Sequence, residues 1–288
     1  MPNSTTSFDK LDEECKSLNI LIDRELDLDS KVLLKKKLYE TKLEMIAILD
    51  TDKESNGITA RELIYNAKNR KKKERYSIGM LDEEFYGGIE VGTFIQLAGQ
   101  SFVGKTHFIL EVMANISGYS ECVLFNFEMG ENRMGYRLNA RLQTDTQLDN
   151  LIVDSYTRDI DLLINEVRIY AKKGIKFFTI DSKMKITSEI KDDFARYNDI
   201  SNKLSRVCQE NDIIIFLINQ MSNSDISSGN FTFKGSGDQL YDTDIALFYT
   251  MENDERFLAC TKNRQDETTF IRKVTMVEGT TKLVFSKL

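Results

Sequence analysis

The sequence predicts an α/β domain on a mostly parallel sheet, preceded by an N-terminal α-helical hairpin and a linker helix. Three observations carry this expectation. From Tyr76 onward, short apolar, β-branched runs alternate with stretches of helical periodicity, the pattern of parallel strands joined by crossover helices. One apolar run leads straight into the loop Gly99-Gln100-Ser101-Phe102-Val103-Gly104-Lys105-Thr106, which opens a helix. Before Tyr76 the apolar residues recur at helical spacing.

The elements follow in order. Residues 7–26 read as an amphipathic helix on Leu11, Cys15, Leu18 and Ile22. Asp27-Leu28-Asp29-Ser30 offers a turn and an N-cap, and residues 31–49 repeat the pattern through Leu34, Leu38, Met45 and Leu49. Two such helices make an antiparallel hairpin too small to bury its own apolar face, which predicts packing on a neighbour. After a polar break at 51–57, residues 59–72 read as a third helix leading into a basic run. The expected division is therefore 1–57 (helical hairpin), 58–75 (linker helix and basic run) and 76–288 (α/β domain). In the last part the predicted strands are 93–98, 122–127, 175–180, 213–218, 245–250 and 257–261. The predicted helices are 106–117, 131–142, 159–173 and 192–211. Residues 268–288 predict a terminal hairpin turning at Glu278-Gly279.

Composition sets limits on function. With 288 residues and 41% hydrophobic side chains, the chain can bury a substantial core. No run approaches the ~18 apolar residues of a membrane-spanning helix, and Met1 to Thr6 opens no secretory signal. Cys15, Cys122, Cys208 and Cys260 are scattered, with no Cys-x-x-Cys, which predicts buried thiols in the reducing cytoplasm. A single histidine, His107, argues against a His-based metal site and a Ser-His-Asp hydrolase. The net charge of −7 divides into −4 over 1–57, +5 over 58–75 and −8 over the rest. An acidic body does not wrap nucleic acid, so any such contact falls on a few loops or in a channel. The run from Lys68 to Arg75 reads as a solvated helix end and linker.

The loop at 99–106 fits G-x-x-x-x-G-K-[ST], with a strand before it and a helix after it. Its glycines let backbone N–H groups converge on a phosphate chain, and the helix N-terminus adds positive potential. Lys105 is then the cation for the β- and γ-phosphates of ATP, and the Thr106 hydroxyl a Mg²⁺ ligand. Ligands of open α/β sheets sit at the carboxyl ends of the strands. There the sequence places Glu128, Asp181 and Asn219-Gln220. Asp181 suits an outer-sphere Mg²⁺ partner, Glu128 a base for attacking water, and Gln220 a γ-phosphate sensor.

Together these residues resemble the RecA-like motor domain of DnaB-type replicative helicases, over roughly residues 59–275. Ser77-Ile78-Gly79 through Gly87-Gly88-Ile89 and Gly92 is similar to that family's approach to its phosphate loop. Phe127-Glu128-Met129 resembles its "L-E-M", whose Glu is the catalytic base. Gly235-Ser236-Gly237 to Asp244 resembles its "E-S-G-x-I-E-Q-D-A-D" element, which carries a DNA-contacting loop. Lys262-Asn263-Arg264 resembles "K-N-R", whose Lys and Arg reach a neighbouring subunit's γ-phosphate. The departures are Ser182-Lys183-Met184 for "Y-L-Q", Lys234 for an Arg, Gln239-Leu240-Tyr241 for "I-E-Q", and Gln265-Asp266 for Gly-Pro.

The resemblance implies an ATP-dependent, Mg²⁺-requiring, ring-forming helicase or translocase of 5'-3' polarity in DNA replication, as in a divergent plasmid or phage member. Single-stranded DNA would contact Lys234, Gly235 and Gly237. The implied partners are copies of this chain in a hexameric ring and a helicase loader or primase, with no membrane. About 57 N-terminal residues leave no room for the family's globular primase-binding part. Two rival readings share the core: a RecA-class recombination or strand-exchange ATPase, and a nucleotide-gated loader or scaffold that does not translocate.

Other residues carry plainer expectations. His107 reads as a packing or surface residue, and Met113, Met129 and Met134 as core. Phe231 and Phe233 read as buried against the sheet, with base stacking the alternative. Lys183 and Lys185 read equally as channel-lining or solvated.

Overall fold

The computed structural model describes residues 7–25, 27–50, 59–69, 73–221, 231–233 and 239–287. The chain divides into two compact units, Met1–Lys71 and Lys72–Leu288.

In the first unit, α1 (Ser7–Arg24) buries Phe8, Cys15, Leu18 and Ile22, residues that share one helical face. It packs on α2 (Leu28–Asp50), where Cys15 meets Met45 and Glu14 pairs with Lys37 at 3.0 Å. The pairing runs antiparallel, as expected. Asp27 caps α2, its carboxylate accepting from the Ser30 N–H at 2.8 Å. The third helix, α3 (Ala60–Asn69), begins with a reciprocal cap: Glu62 N–H donates to the Thr59 hydroxyl, and Thr59 N–H donates back to the Glu62 carboxylate. Leu63, Ile64 and Tyr65 are exposed on α3.

The second unit opens with a two-stranded ribbon, β1 (Arg75–Tyr76) and β2 (Ile89–Glu90). Arg75 is no solvated linker residue. Its guanidinium pairs with Glu90 at 2.7 Å and Asp266 at 3.0 Å and donates to the Phe85 carbonyl.

The main sheet has nine strands among the described residues: β3 (Phe94–Gly99), β4 (Cys122–Asn126), β5 (Leu151–Asp154), β6 (Phe177–Asp181), β7 (Ile214–Ile218), β8 (Ile245–Glu252), β9 (Glu255–Asn263), β10 (Phe270–Met276) and β11 (Leu283–Lys287). Their spatial order is β11-β10-β9-β8-β3-β7-β6-β4-β5. The six strands from β8 to β5 are parallel, and β9 to β11 continue the sheet as an antiparallel meander. Helices α4 (Lys105–Ser117), α5 (Glu131–Asn139), α6 (Asp145–Asn150), α7 (Ile160–Lys172) and α8 (Asp193–Glu210) connect the parallel strands. A short helix, α9 (Gln239–Asp242), precedes β8.

The central strands are buried throughout because helices cover both faces. One apolar layer joins Ile95 and Leu97 of β3 to Phe108, Ile109 and Val112 of α4. The other joins Phe94 and the β6 residues Phe178 and Ile180 to Leu163 and Val167 of α7 and Ile200 and Leu204 of α8. The expected strands and helices are present within a few residues. Helix α5 stops at Asn139, short of the expected 142. The ribbon β1–β2 and the short helix α9 were not expected, nor were α6 and the edge strand β5. For the last two, sequence signals exist: α6 is announced by a Thr144–Gln147 capping box and β5 by Leu151-Ile152-Val153. The terminal hairpin forms, with Gly279 at φ +72° in its turn. All four cysteines are free and buried. No helix among the described residues is long and apolar enough to cross a membrane.

Candidate active site

The phosphate loop leaves the carboxyl end of β3. A Cβ on Gly99 would lie 2.3 Å from the Tyr249 carbonyl oxygen, so glycine alone permits the approach of β3 to β8 here. Gly104 has φ +111°, the left-handed turn from which α4 starts. Between them Val103 is fully buried and anchors the loop, while Phe102 points into solvent. The Val103 carbonyl accepts from Arg256 Nε at 3.1 Å, across the β8–β9 hairpin. Lys105 folds over the loop and donates to the carbonyls of Gly99 (3.0 Å) and Gln100 (2.7 Å).

The Thr106 hydroxyl donates to Asp181 Oδ2 at 2.8 Å. Asp181 ends β6 and is 1% exposed, and its Oδ1 is buried with no hydrogen-bond partner. Burial raises the Asp181 carboxyl to about 6; the Thr106 bond lowers it, the Glu128 charge raises it, Lys105 lowers it, and a side-chain hydrogen bond with Glu128 raises it further. Burial also lowers the Lys105 ammonium from its ordinary value, opposed by the charges of Glu128 and Asp181. Lys105, Glu128 and Asp181 therefore lie within one electrostatic neighbourhood.

Glu128 is placed by backbone. The N–H groups of Phe127 and Glu128 both donate to the Asp181 carbonyl, at 2.7 and 3.1 Å. Asn126 pins the following turn through the Met129 carbonyl at 2.7 Å, and the Glu128 side chain stands in solvent. Gln220 follows β7, the strand between β3 and β6. Its N–H donates to Asn219 Oδ1, and Asn219 N–H donates to the Leu97 carbonyl, each at 2.8 Å. Residues Gly99 to Thr106, Glu128, Asp181 and Gln220 thus share one sheet edge.

Lys262 and Arg264 are not on that edge. Ile245 pairs with Ile95 at the start of β3, and Asn263 pairs with Ile245. The end of β9 thus lies at the opposite edge of the sheet, roughly 13 Å from Gly99 along the strands. There Lys262 donates to the Leu240 carbonyl, and Arg264 to the Tyr241 carbonyl at 2.8 Å. Lys234, Gly235 and Gly237 lie outside the described residues. Phe233 is buried and stacks on Phe248, with ring centroids 5.1 Å apart, and Phe231 packs on the same ring.

Lys183 corrects both expectations for it. It neither lines a channel nor meets solvent: its side chain is fully buried, and burial lowers its ammonium to about 7. Lys185 is exposed. His107 is a packing residue. Its Nε2–H donates to the Thr281 carbonyl at 2.6 Å and its Nδ1 accepts from Arg141 at 3.1 Å, which ties the terminal hairpin to α4. Sequence reasoning also missed Arg256, which reaches the phosphate loop only because β8 and β9 form a hairpin.

Several solved structures share this fold. A DnaB-like replicative helicase, described with its interactions with primase, is 14% identical over 95% of this chain and 76% of its own, with a TM-score of 0.64. The fold is RecA-like. A solved ATPase domain with 15% identity covers 82% of this chain and 100% of its own, with a TM-score of 0.62. A KaiC-like protein from Pyrococcus horikoshii has 14% identity over 74% of this chain and 99% of its own, with a TM-score of 0.58. No family model and no curated protein matches the chain. In this RecA-like fold the phosphate loop, the Asp181 strand and the Gln220 strand form the crevice where such sheets take ligands.

Proposed function

We propose that this chain is an ATP hydrolase that drives a ring of identical subunits along single-stranded DNA, as a DnaB-type helicase. The observation that carries the reading is the hydrogen bond from Thr106 to the buried Asp181, with an unpartnered Asp181 oxygen, beside Lys105 and Glu128 at a phosphate loop. An unpaired buried carboxylate oxygen is costly unless a cation meets it. Among the described residues no cluster of His, Cys, Asp and Glu could hold a metal alone. A hydroxyl and a carboxylate are donors that suit Mg²⁺, and the Thr106 hydroxyl and the Asp181 carboxylate would hold it together with phosphate oxygens. Bound there, Mg²⁺ neutralises charge on the β- and γ-phosphates.

The chain's own residues do the rest. Lys105 exchanges the Gly99 and Gln100 carbonyls for the β- and γ-phosphate oxygens. Glu128, exposed beside Asp181 and fixed at its backbone, accepts the proton of the attacking water. Gln220 contacts the γ-phosphate from the neighbouring strand end. Lys262 and Arg264, on the far sheet edge, serve the phosphate loop of an adjacent subunit. Lys234, Gly235 and Gly237 contact single-stranded DNA in the channel. A loader or primase is the further partner this reading takes from its resemblance.

The test is turnover with and without single-stranded DNA, together with unwinding of a forked duplex. DNA-stimulated turnover and fork unwinding support the motor. ATP binding with negligible, DNA-indifferent turnover would move the chain to the scaffold or loader reading, and filaments in place of rings to the recombination reading. Lys234→Ala should weaken single-strand binding and lower its salt slope by roughly one ion. DNA-free turnover should stay intact. An unchanged slope places the DNA path elsewhere.

A further inference from the structure

Behind the site, polar side chains from the ends of two strands, β6 and β7, converge on one amide. Lys183 follows Asp181 by two residues and is fully buried. Its Nζ donates to Ser201 Oγ on α8 and to Gln239 Oε1 at the start of α9, each at 2.6 Å. The ammonium also lies 5.6 Å from the centre of the Tyr197 ring. Gln239 Oε1 accepts a second hydrogen bond, at 3.2 Å, from Asn219 Nδ2, one residue before Gln220. Asn219 Nδ2 also donates to Gln96 Oε1 on β3 at 3.1 Å. Gln96 Nε2 in turn donates to Thr243 Oγ1 at 2.8 Å, and that hydroxyl closes the circuit on the Gln239 carbonyl at 2.7 Å.

Packing alone does not call for this arrangement. A methionine would fill the space of Lys183 without burying an ammonium, and a buried charge or half-satisfied amide is destabilising unless its partners stay in place. Gln239 Oε1 is shared by a donor tied to Asp181 and a donor tied to Gln220, so displacement of either strand end changes the other's bond. Gln239 is also the first residue after 234–238, the segment in which DNA contact is proposed. Lys183 lies outside the helicase resemblance, because Ser182-Lys183-Met184 stands where that family has "Y-L-Q".

We propose that Lys183 and Gln239 are positioning residues that transmit the state of the nucleotide site to the segment preceding α9, and so couple nucleotide to single-stranded DNA. The inference rests on the proposed function. Its direct readout is the ratio of affinities for an oligo-dT strand with and without Mg²⁺ and a non-hydrolysable ATP analogue. In the wild-type protein that ratio should fall in the usual coupling range of about 5–150-fold. In Lys183→Met and in Gln239→Leu it should collapse toward one while the analogue binds with near wild-type affinity. The double variant should lose no more than either single variant, because the two residues share one bond. A merely structural role would lower the melting temperature without removing the coupling.

A folded Lys183→Met that keeps the wild-type ratio overturns the inference. Should Lys183→Met fail to fold, Gln239→Leu and Asn219→Ala carry the same test. A second readout separates this inference from the motor reading: hydrogen exchange of amides 219–243 with and without the analogue, in the absence of DNA. A nucleotide-dependent change in the wild type that is lost in the variants supports the relay, even if the wild type proves indifferent to DNA and the motor reading fails. The same change in wild type and variants, or no change in the wild type, overturns it.

Discussion

At the residue scale, Asp181 sets stability against function. Burial holds its carboxyl at about 6 against an ordinary 3.8. Between roughly pH 4 and 6 the folded chain therefore binds a proton that the unfolded chain has released, so stability of the metal-free protein falls as pH rises through that window and stays reduced above it. A difference of about two pK units sets an upper bound near 3 kcal/mol. Asp181→Asn should be more heat-stable than the wild type at pH 8 without metal, with a flatter stability profile from pH 4 to 6, and should lose Mg²⁺-dependent nucleotide binding. Thermal melts across pH with and without Mg²⁺ check this; a variant less stable at pH 8 contradicts it. Lys105→Ala should abolish turnover and weaken nucleotide binding while remaining folded. Glu128→Gln should bind Mg²⁺ and ATP yet hydrolyse at least ~10²-fold more slowly, the scale of a lost general base. If Asp181→Asn binds Mg²⁺ and ATP yet hydrolyses slowly while Glu128→Gln turns over normally, the base is misassigned.

At the element scale, the loop's shape depends on the β8–β9 hairpin as much as on its own glycines. Tyr249 of β8 lies against Gly99 and Gly104, and Arg256 of β9 holds the Val103 carbonyl. Losing one such hydrogen bond costs about 1 kcal/mol, or roughly fivefold in affinity. Arg256→Ala should therefore weaken ATP binding about fivefold with kcat less affected, measured by titration of the nucleotide and steady-state kinetics. A changed kcat with unchanged binding would instead put Arg256 at the reacting phosphate. The His107 bridge to Thr281 similarly joins the phosphate-loop helix to the terminal hairpin. His107→Ala should lower stability by about 1 kcal/mol and leave turnover at permissive temperature nearly unchanged.

At the scale of the whole molecule, the sheet separates its cations. Lys105 lies at one edge, and Lys262 and Arg264 at the other. A second cation on the transferring phosphoryl group is worth about 10³–10⁵ in rate, and under the proposed function Lys262 and Arg264 would supply it from a neighbouring copy. Arg264→Ala should bind ATP normally and hydrolyse it very poorly, and wild-type turnover per chain should rise with protein concentration across the range of assembly. Mixing Arg264→Ala with Lys105→Ala should restore part of the activity, because some mixed interfaces combine an intact loop with an intact finger. Concentration-independent turnover together with a fully active Arg264→Ala would make both residues ordinary charges on a strand-end turn.

Much of this was legible before folding. The loop from Gly99 to Thr106, the carboxylates Glu128 and Asp181, and Gln220 each sit where a local pattern announces them: an apolar strand, then a polar residue at its carboxyl end. Such patterns depend on neighbours in sequence, so periodicity and turn chemistry disclose them. The same holds for the capped helices α2 and α3 and for the terminal hairpin. Lys183 shows where that reading stops. A lysine among polar residues looks solvated, and its burial depends on Ser201, Gln239 and Tyr197, which lie 14 to 56 positions away in the chain. Arg256 reaches Val103 across 153 residues because two strands pair. Local sequence determined the elements and the chemistry at their ends. Tertiary packing alone decided which distant side chains seal and support that chemistry, because burial and long-range hydrogen bonds belong to the assembled sheet and to no single stretch of the chain.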